Sequence, residues 1–187
     1  MNTIFCEPIE RVSQGDIFRD IEYLEHYLEK DGIISISKIT FPYVYILTQD
    51  CDLAQDFKFR TQNPPKGQDK YLISVLVVPI YNAEFVYSGE HLSDLGYTMQ
   101  NFTLGLKRDF QIIKSNKNPR YHFLDFGDDS ALPPSIIDFK QYFSINIRYL
   151  ESIKNANRVF KLKPLFREDV SQRFSSFLSR IGLPDLE

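Results

Sequence analysis

The sequence predicts a mainly β protein with some α: a strongly bent antiparallel sheet with a C-terminal amphipathic helix over about 165–181. Three observations predict it. Six or so short runs rich in Val, Ile, Tyr and Phe recur along the chain, separated by turn-forming residues. The last segment carries the clearest helical stripe, Phe166, Val170, Phe174, Phe177, Leu178 and Ile181, with Gly182-Leu183-Pro184 as a stop. No repeat and no Gly/Ser linker divides the 187 residues, so 1–187 reads as a single domain.

Taken in order, Gln14-Gly15-Asp16-Ile17-Phe18 is a turn leading into a first strand. In Ile21 to Glu29 the positions of Ile21, Leu24 and Leu28 fit a helix, but Asp31-Gly32 is a strong hairpin turn and Ile33 to Thr40 alternates as a strand, which predicts a hairpin. Tyr43 to Thr48, preceded by Pro42, is a buried strand ending in the polar loop Gln49-Asp50-Cys51-Asp52. Residues from Asp56 to Lys70 form a surface loop, and Leu72 to Ile80 is a central strand covered on both faces. Asn82 to Leu95 is a short helix begun by Asn82 and stopped by Gly96, with Phe85 and Leu92 turned inward. Tyr121 to Phe126 and Ile136 to Ile147 supply two more strands, separated by Gly127-Asp128-Asp129 and Pro133-Pro134.

Composition excludes several classes. With 43% apolar and 14% aromatic residues the chain can fill a core, which excludes general disorder. The longest apolar stretch, Tyr71 to Tyr81, is too short to cross a bilayer, and the N-terminus lacks the basic and apolar regions of a leader, so no membrane partner and a cytoplasmic location are expected. Cys6 and Cys51 make no disulfide framework and are expected to be free thiols; with three His they do not suggest a metal cage, and no metal or cofactor is expected. At a net charge of −3, any nucleic-acid surface must be a local patch.

Lys107, Arg108, Lys114, Lys117, Arg120 and His122, set against the single acid Asp109 and interleaved with Phe110 and Tyr121, form the best candidate patch for single-stranded RNA. A solvated loop is the plainer account of the same run. Thr48, Gln49 and Asp50 are the candidate catalytic group, because reactive side chains at the end of a buried strand are held rigidly. A nucleophilic Cys51 would need a base such as His91 or His122, whereas Asp50 and Asp52 disfavour thiolate. The plainer account makes Cys51 a small buried hydrophobe. The acidic stretch from Asp16 to Asp31 is either a docking face for a basic partner or an ordinary exposed hairpin.

Gly15-Asp16-Ile17, Pro42 followed by Val44-Tyr45-Ile46-Leu47-Thr48-Gln49-Asp50, and Val77-Val78-Pro79-Ile80 resemble, in order and kind, the MazF/PemK-type superfamily. The resemblance implies an SH3-like barrel and an endoribonuclease of toxin–antitoxin or phage-defence systems, with an antitoxin as protein partner. It also implies metal-independent cleavage, the ribose 2′-hydroxyl attacking the adjacent phosphate while Thr48 positions the scissile group. The family's Arg before the proline is Phe41 here. An apolar side chain donates no hydrogen bond to the transition state, and losing such a donor removes ~10²-fold to 10³-fold in rate unless Lys38, Arg60 or Arg120 replaces it. Phe41 therefore favours the alternative, a non-catalytic interaction subunit of a larger assembly.

Overall fold

Apolar runs that need cover on both sides and turns that fold neighbouring runs together give one antiparallel sheet of eight strands. The structure, a computed structural model, describes residues 4–5, 9–64, 66–103, 107–127 and 132–180, without the side chains of 4, 5, 107 and 108. The strands are β1 (Ile4–Phe5), β2 (Asp16–Lys30), β3 (Ile33–Ile46), β4 (Ser74–Asn82), β5 (Tyr121–Leu124), β6 (Ser135–Asp138), β7 (Phe143–Asn146) and β8 (Arg158–Leu162). Their order is β1-β8-β2-β3-β4-β6-β5, with β7 also paired to β4. Among the described residues no pairing joins β1 to β5, so the sheet is bent but open, which corrects the closed SH3-like barrel.

The hairpin expectation holds. Lys30 pairs with Ile33, and Asp31 and Gly32 both take the left-handed backbone (φ 53° and 76°) that a two-residue turn matching strand twist requires. Pairing with β3 outweighs the helical spacing of Ile21 to Glu29. Pro42 does not bound β3, which runs through it. Opposite Pro42 stands Asp20 at φ 54°, and side-chain alternation slips on both strands there. Phe18 and Ile21 on β2, and Phe41 and Val44 on β3, reach the same core although each pair is three residues apart. The two strands thus bend together and leave the body as an arm.

β4 is central, as expected: Val75, Val77 and Tyr81 face one core and Val78 and Ile80 the other. The first core is closed by Leu53 of α1 (Asp50–Arg60), Val86 of α2 (Ala83–Ser88), Ile113 of α3 (Lys107–Lys114) and Leu150 of α4 (Ile147–Asn157). The second is closed by Val170, Phe174 and Phe177 of α5 (Pro164–Leu178).

Several expectations need correction. The polar run after Thr48 and the first part of the expected surface loop form α1, whose first turn carries Asp50 and Asp52 where helix-end amides favour acids. The helix begun by Asn82 stops at Ser88, because Gly89 turns left-handed (φ 82°) where an added Cβ would sit 2.5 Å from the Met99 carbonyl oxygen. Phe85 is consequently exposed, while Leu92 is buried. The expected strand from Ile136 to Ile147 breaks at Asp138, whose carboxylate accepts from the Lys140 amide; Ile147 opens α4, capped by Asn146. Leu178 projects into solvent. Cys6, Asp128, Asp129 and Ile181 to Pro184 lie outside the described residues.

Candidate functional site

The candidate catalytic group at the end of β3 is engaged in holding the fold. Thr48 Oγ1 accepts from the Leu76 amide at 2.7 Å, and its own amide donates to the Leu76 carbonyl. Asp50 accepts from Arg11 at 3.1 and 2.8 Å and from the Gln14 amide. Burial works against its charge, but these donors prevail and hold the carboxyl below its usual range. Gln49 stands at the N-cap of α1 without capping it through its side chain. Cys51 is a free thiol, as expected, but exposed rather than buried, its sulfur 3.8 Å from Gln49 Oε1 and 3.7 Å from Asp52 Oδ1. Nearby, Asp16 accepts from Arg158 at 2.8 Å and from the Ser13 amide at 2.7 Å; burial outweighs both and pushes its carboxyl up to about 6.

The basic segment is divided by the fold. Lys114 and Lys117 are exposed, while Lys107 and Arg108 lie in α3 with side chains outside the described residues. Arg120 is bound by two hydrogen bonds to Asp138, its guanidinium over the Tyr121 ring. His122 is buried, and burial, reinforced by Arg173, lowers its pKa to about 3, so at neutral pH it carries no charge for a phosphate. Neither Arg120 nor His122 is free to bind RNA as the sequence suggests. Thr48 follows β3 and Arg120 precedes β5, with β4 and β6 between them in the sheet, so Arg120 does not adjoin the Thr48 group. Of the replacements for the missing arginine, Arg60 is held by Asp56 and the Leu72 carbonyl and Lys38 by Glu22 at 2.6 Å. Phe41 itself is packed, its ring stacked on Phe143 at 4.7 Å.

A cleft of about 660 Å³ opens where β3 bends, between Lys38 to Tyr43, the end of β4 and the segment Glu90 to Leu95. It continues along β3 into a second hollow of about 540 Å³ edged by Tyr23, Glu25, Tyr97 and Tyr142. These are the dimensions of ligand sites, and the wall of the first is mainly apolar with a few polar groups, as such sites are, while the second is more polar. One of those groups is His91. Its side chain is fully buried, neither ring nitrogen has a hydrogen-bond partner, and Nε2 lies 3.8 Å from Asp138 Oδ2. The Tyr81 ring is 5.2 Å away, its hydroxyl also buried without a partner.

Asp138 anchors this cluster. Burial again opposes its charge, but the Arg120 hydrogen bonds, aided by His91 and the Lys140 amide, keep its carboxyl below the usual range. Burial raises the pKa of Tyr81 and pushes that of Tyr121 up to about 12, so both phenols are neutral donors and acceptors. The arrangement can hydrogen-bond a ligand. Among the described residues no group of His, Cys, Asp or Glu is disposed to hold a metal ion. Sequence reasoning missed this cluster because His91, Arg120 and Asp138 come from three separate segments, and no spacing links them.

No family model matches the chain. A search of curated proteins finds no match either. No helix among the described residues is long and apolar enough to cross a membrane.

Beyond Tyr23 and Ile39, which pack against the first core, the β2–β3 arm pairs with no third strand among the described residues. β2 pairs with β8 only over Asp16–Phe18, and β3 with β4 only over Tyr43–Ile46. Leu24, Tyr27, Leu28, Ile33, Ile34 and Ile36 are each more than half exposed. Tyr27 pairs with Ile36 and, across a bulge, Leu24 with Lys38; Leu24, Tyr27, Ile34 and Ile36 therefore share one face.

Proposed function

We propose that this chain is a non-catalytic, protein-interaction subunit of a cytoplasmic assembly, and that it docks through the apolar face of the β2–β3 arm. The observation that carries the proposal is the set of four exposed large apolar side chains, Leu24, Tyr27, Ile34 and Ile36, on one face of a ribbon that supports no core of its own. Together they present on the order of several hundred Å², the size at which a contiguous apolar patch marks an interaction site. Glu22, Glu25, Glu29 and Asp31 border this surface, against Lys30 and a Lys38 already held by Glu22. The matching surface is therefore apolar with a basic rim.

Site-specific photo-cross-linking in the native cells tests the proposal. A benzoylphenylalanine at position 27 or 34 is expected to give a discrete protein adduct, and one at the exposed Ser175 of α5 none. No discrete adduct from the arm, or the same adducts from Ser175, overturns the docking surface.

The resemblance to MazF/PemK-type toxins supports a second reading, single-stranded RNA binding at α3 and the turn after it, where Lys114 and Lys117 are exposed. Incubation with single-stranded RNA in EDTA separates the two: cleavage identifies a metal-independent endoribonuclease, and binding without cleavage a degenerate one. Intact, unbound RNA leaves the interaction subunit.

A further inference from the structure

We infer that the cleft beside β3 receives an extended, basic peptide segment of a partner protein, which adds a strand to the free edge of β3 and sets one tyrosine side chain against His91 and Tyr81. This rests on the chain being a protein-interaction subunit and names a second contact, distinct from the apolar face of the arm.

The free edge comes first. Among the described residues, Lys38 to Pro42 pair with β2 on one side, while their other side forms a wall of the cleft, since β4 joins β3 only from Tyr43 onward. In a strand paired on one side, alternate N–H and C=O groups point away from the neighbour and offer a template for another strand. Pro42, which has no N–H, ends that run of donors.

The floor of the cleft selects the side chain. Phe41, Leu92 and Leu95 give an apolar wall, and buried behind them are two polar atoms without partners that Asp138 does not face: His91 Nδ1 and the Tyr81 hydroxyl. His91 Nε2 faces Asp138 Oδ2 at 3.8 Å, which leaves Nδ1 as the ring nitrogen for a ligand, and Tyr81 supplies a hydroxyl that donates or accepts. A phenol matches both, with an apolar ring for the wall and a hydroxyl for the floor.

Charge at the mouth selects the flanks. Glu90 and Asp94 are exposed at the first hollow and Glu25 at the second; Lys38 is held by Glu22, leaving Lys140 as the remaining lysine among the described lining residues. A phosphate-bearing ligand is repelled there, whereas Lys or Arg on either side of the tyrosine is attracted.

Selection of a random linear-peptide library on the full chain, followed by anisotropy titration of the labelled consensus peptide, tests the inference. Enriched peptides are expected to carry a tyrosine flanked by Lys or Arg. The consensus peptide should lose about tenfold or more in affinity on Glu90→Lys with Asp94→Lys, both surface positions, and on replacing its own tyrosine by alanine. Hydrogen exchange should slow at those amides of Lys38 to Phe41 that point away from β2 when the peptide is bound. No enrichment over a protein-free control, or binding indifferent to the double variant with those amides unprotected, overturns the inference. Discrete arm cross-links without a selected peptide remove this contact alone; a selected peptide without arm cross-links removes the arm surface alone.

Discussion

The Arg120 guanidinium holds the Asp138 carboxylate through two parallel hydrogen bonds, Nε to Oδ1 at 2.7 Å and Nη2 to Oδ2 at 2.6 Å, and so fastens the start of β5 to the end of β6. Asp138 is completely buried, with Arg120 partly open to solvent. Removing the guanidinium leaves a buried carboxylate without its main partner. Arg120→Ala is therefore expected to destabilise the fold by about 3 kcal/mol in a urea titration. A variant as stable as the parent would show that the pair is not structural.

Stability between pH 7 and pH 5 is expected to depend on two buried groups of opposite sign. His122, lowered to about 3, binds a proton less readily folded than unfolded, so its contribution falls by about 2 kcal/mol as pH drops from 7 to 5. Asp16, raised to about 6, binds a proton more readily folded. Its contribution is present at pH 5, worth about 1 kcal/mol, and is lost as pH rises through 6. His122→Phe should therefore gain stability from pH 7 to pH 5 relative to the parent, and Asp16→Asn should lose it. Denaturant titrations at both pH values check the two slopes.

Adjacent residues of α5 should answer differently to truncation. Phe177 packs within 6.0 Å of Phe139 and 6.4 Å of Phe174, measured between ring centres, whereas Leu178 is 51% exposed. Phe177→Ala is expected to cost ~3–5 kcal/mol and Leu178→Ala less than ~1 kcal/mol. Equal losses would place Leu178 in a contact that this chain does not make by itself.

The arm should tolerate polar substitution. Ile34→Ser and Ile36→Ser remove apolar groups that pack against no core, so each is expected to change the unfolding free energy by no more than ~0.5 kcal/mol. The two substitutions combined should abolish the cross-link formed from position 27. A large loss of stability would instead make the arm part of the folding unit.

Much of the architecture is legible in local patterns. Asp31-Gly32 announces its turn because a left-handed backbone at two successive positions is chiefly a property of those two residues. The Val- and Ile-rich run of β4 announces a strand covered on both faces, and the Phe stripe of α5 announces the face that packs. The helix following Thr48 escapes that logic: its residues carry no clear apolar stripe, and Leu53 is its one buried apolar side chain.

The site divides in the same way. By itself the sequence determined which segments are apolar, where the chain turns, and that basic residues cluster between 107 and 122. Only the tertiary structure decided that Arg120 is committed to Asp138, that His122 is buried and neutral, and that His91 and Tyr81 meet in a cleft. The reason is range: turn and strand preferences act over a few neighbouring residues, whereas a side chain's charge state and partners depend on groups that only the folded sheet brings within a few ångströms.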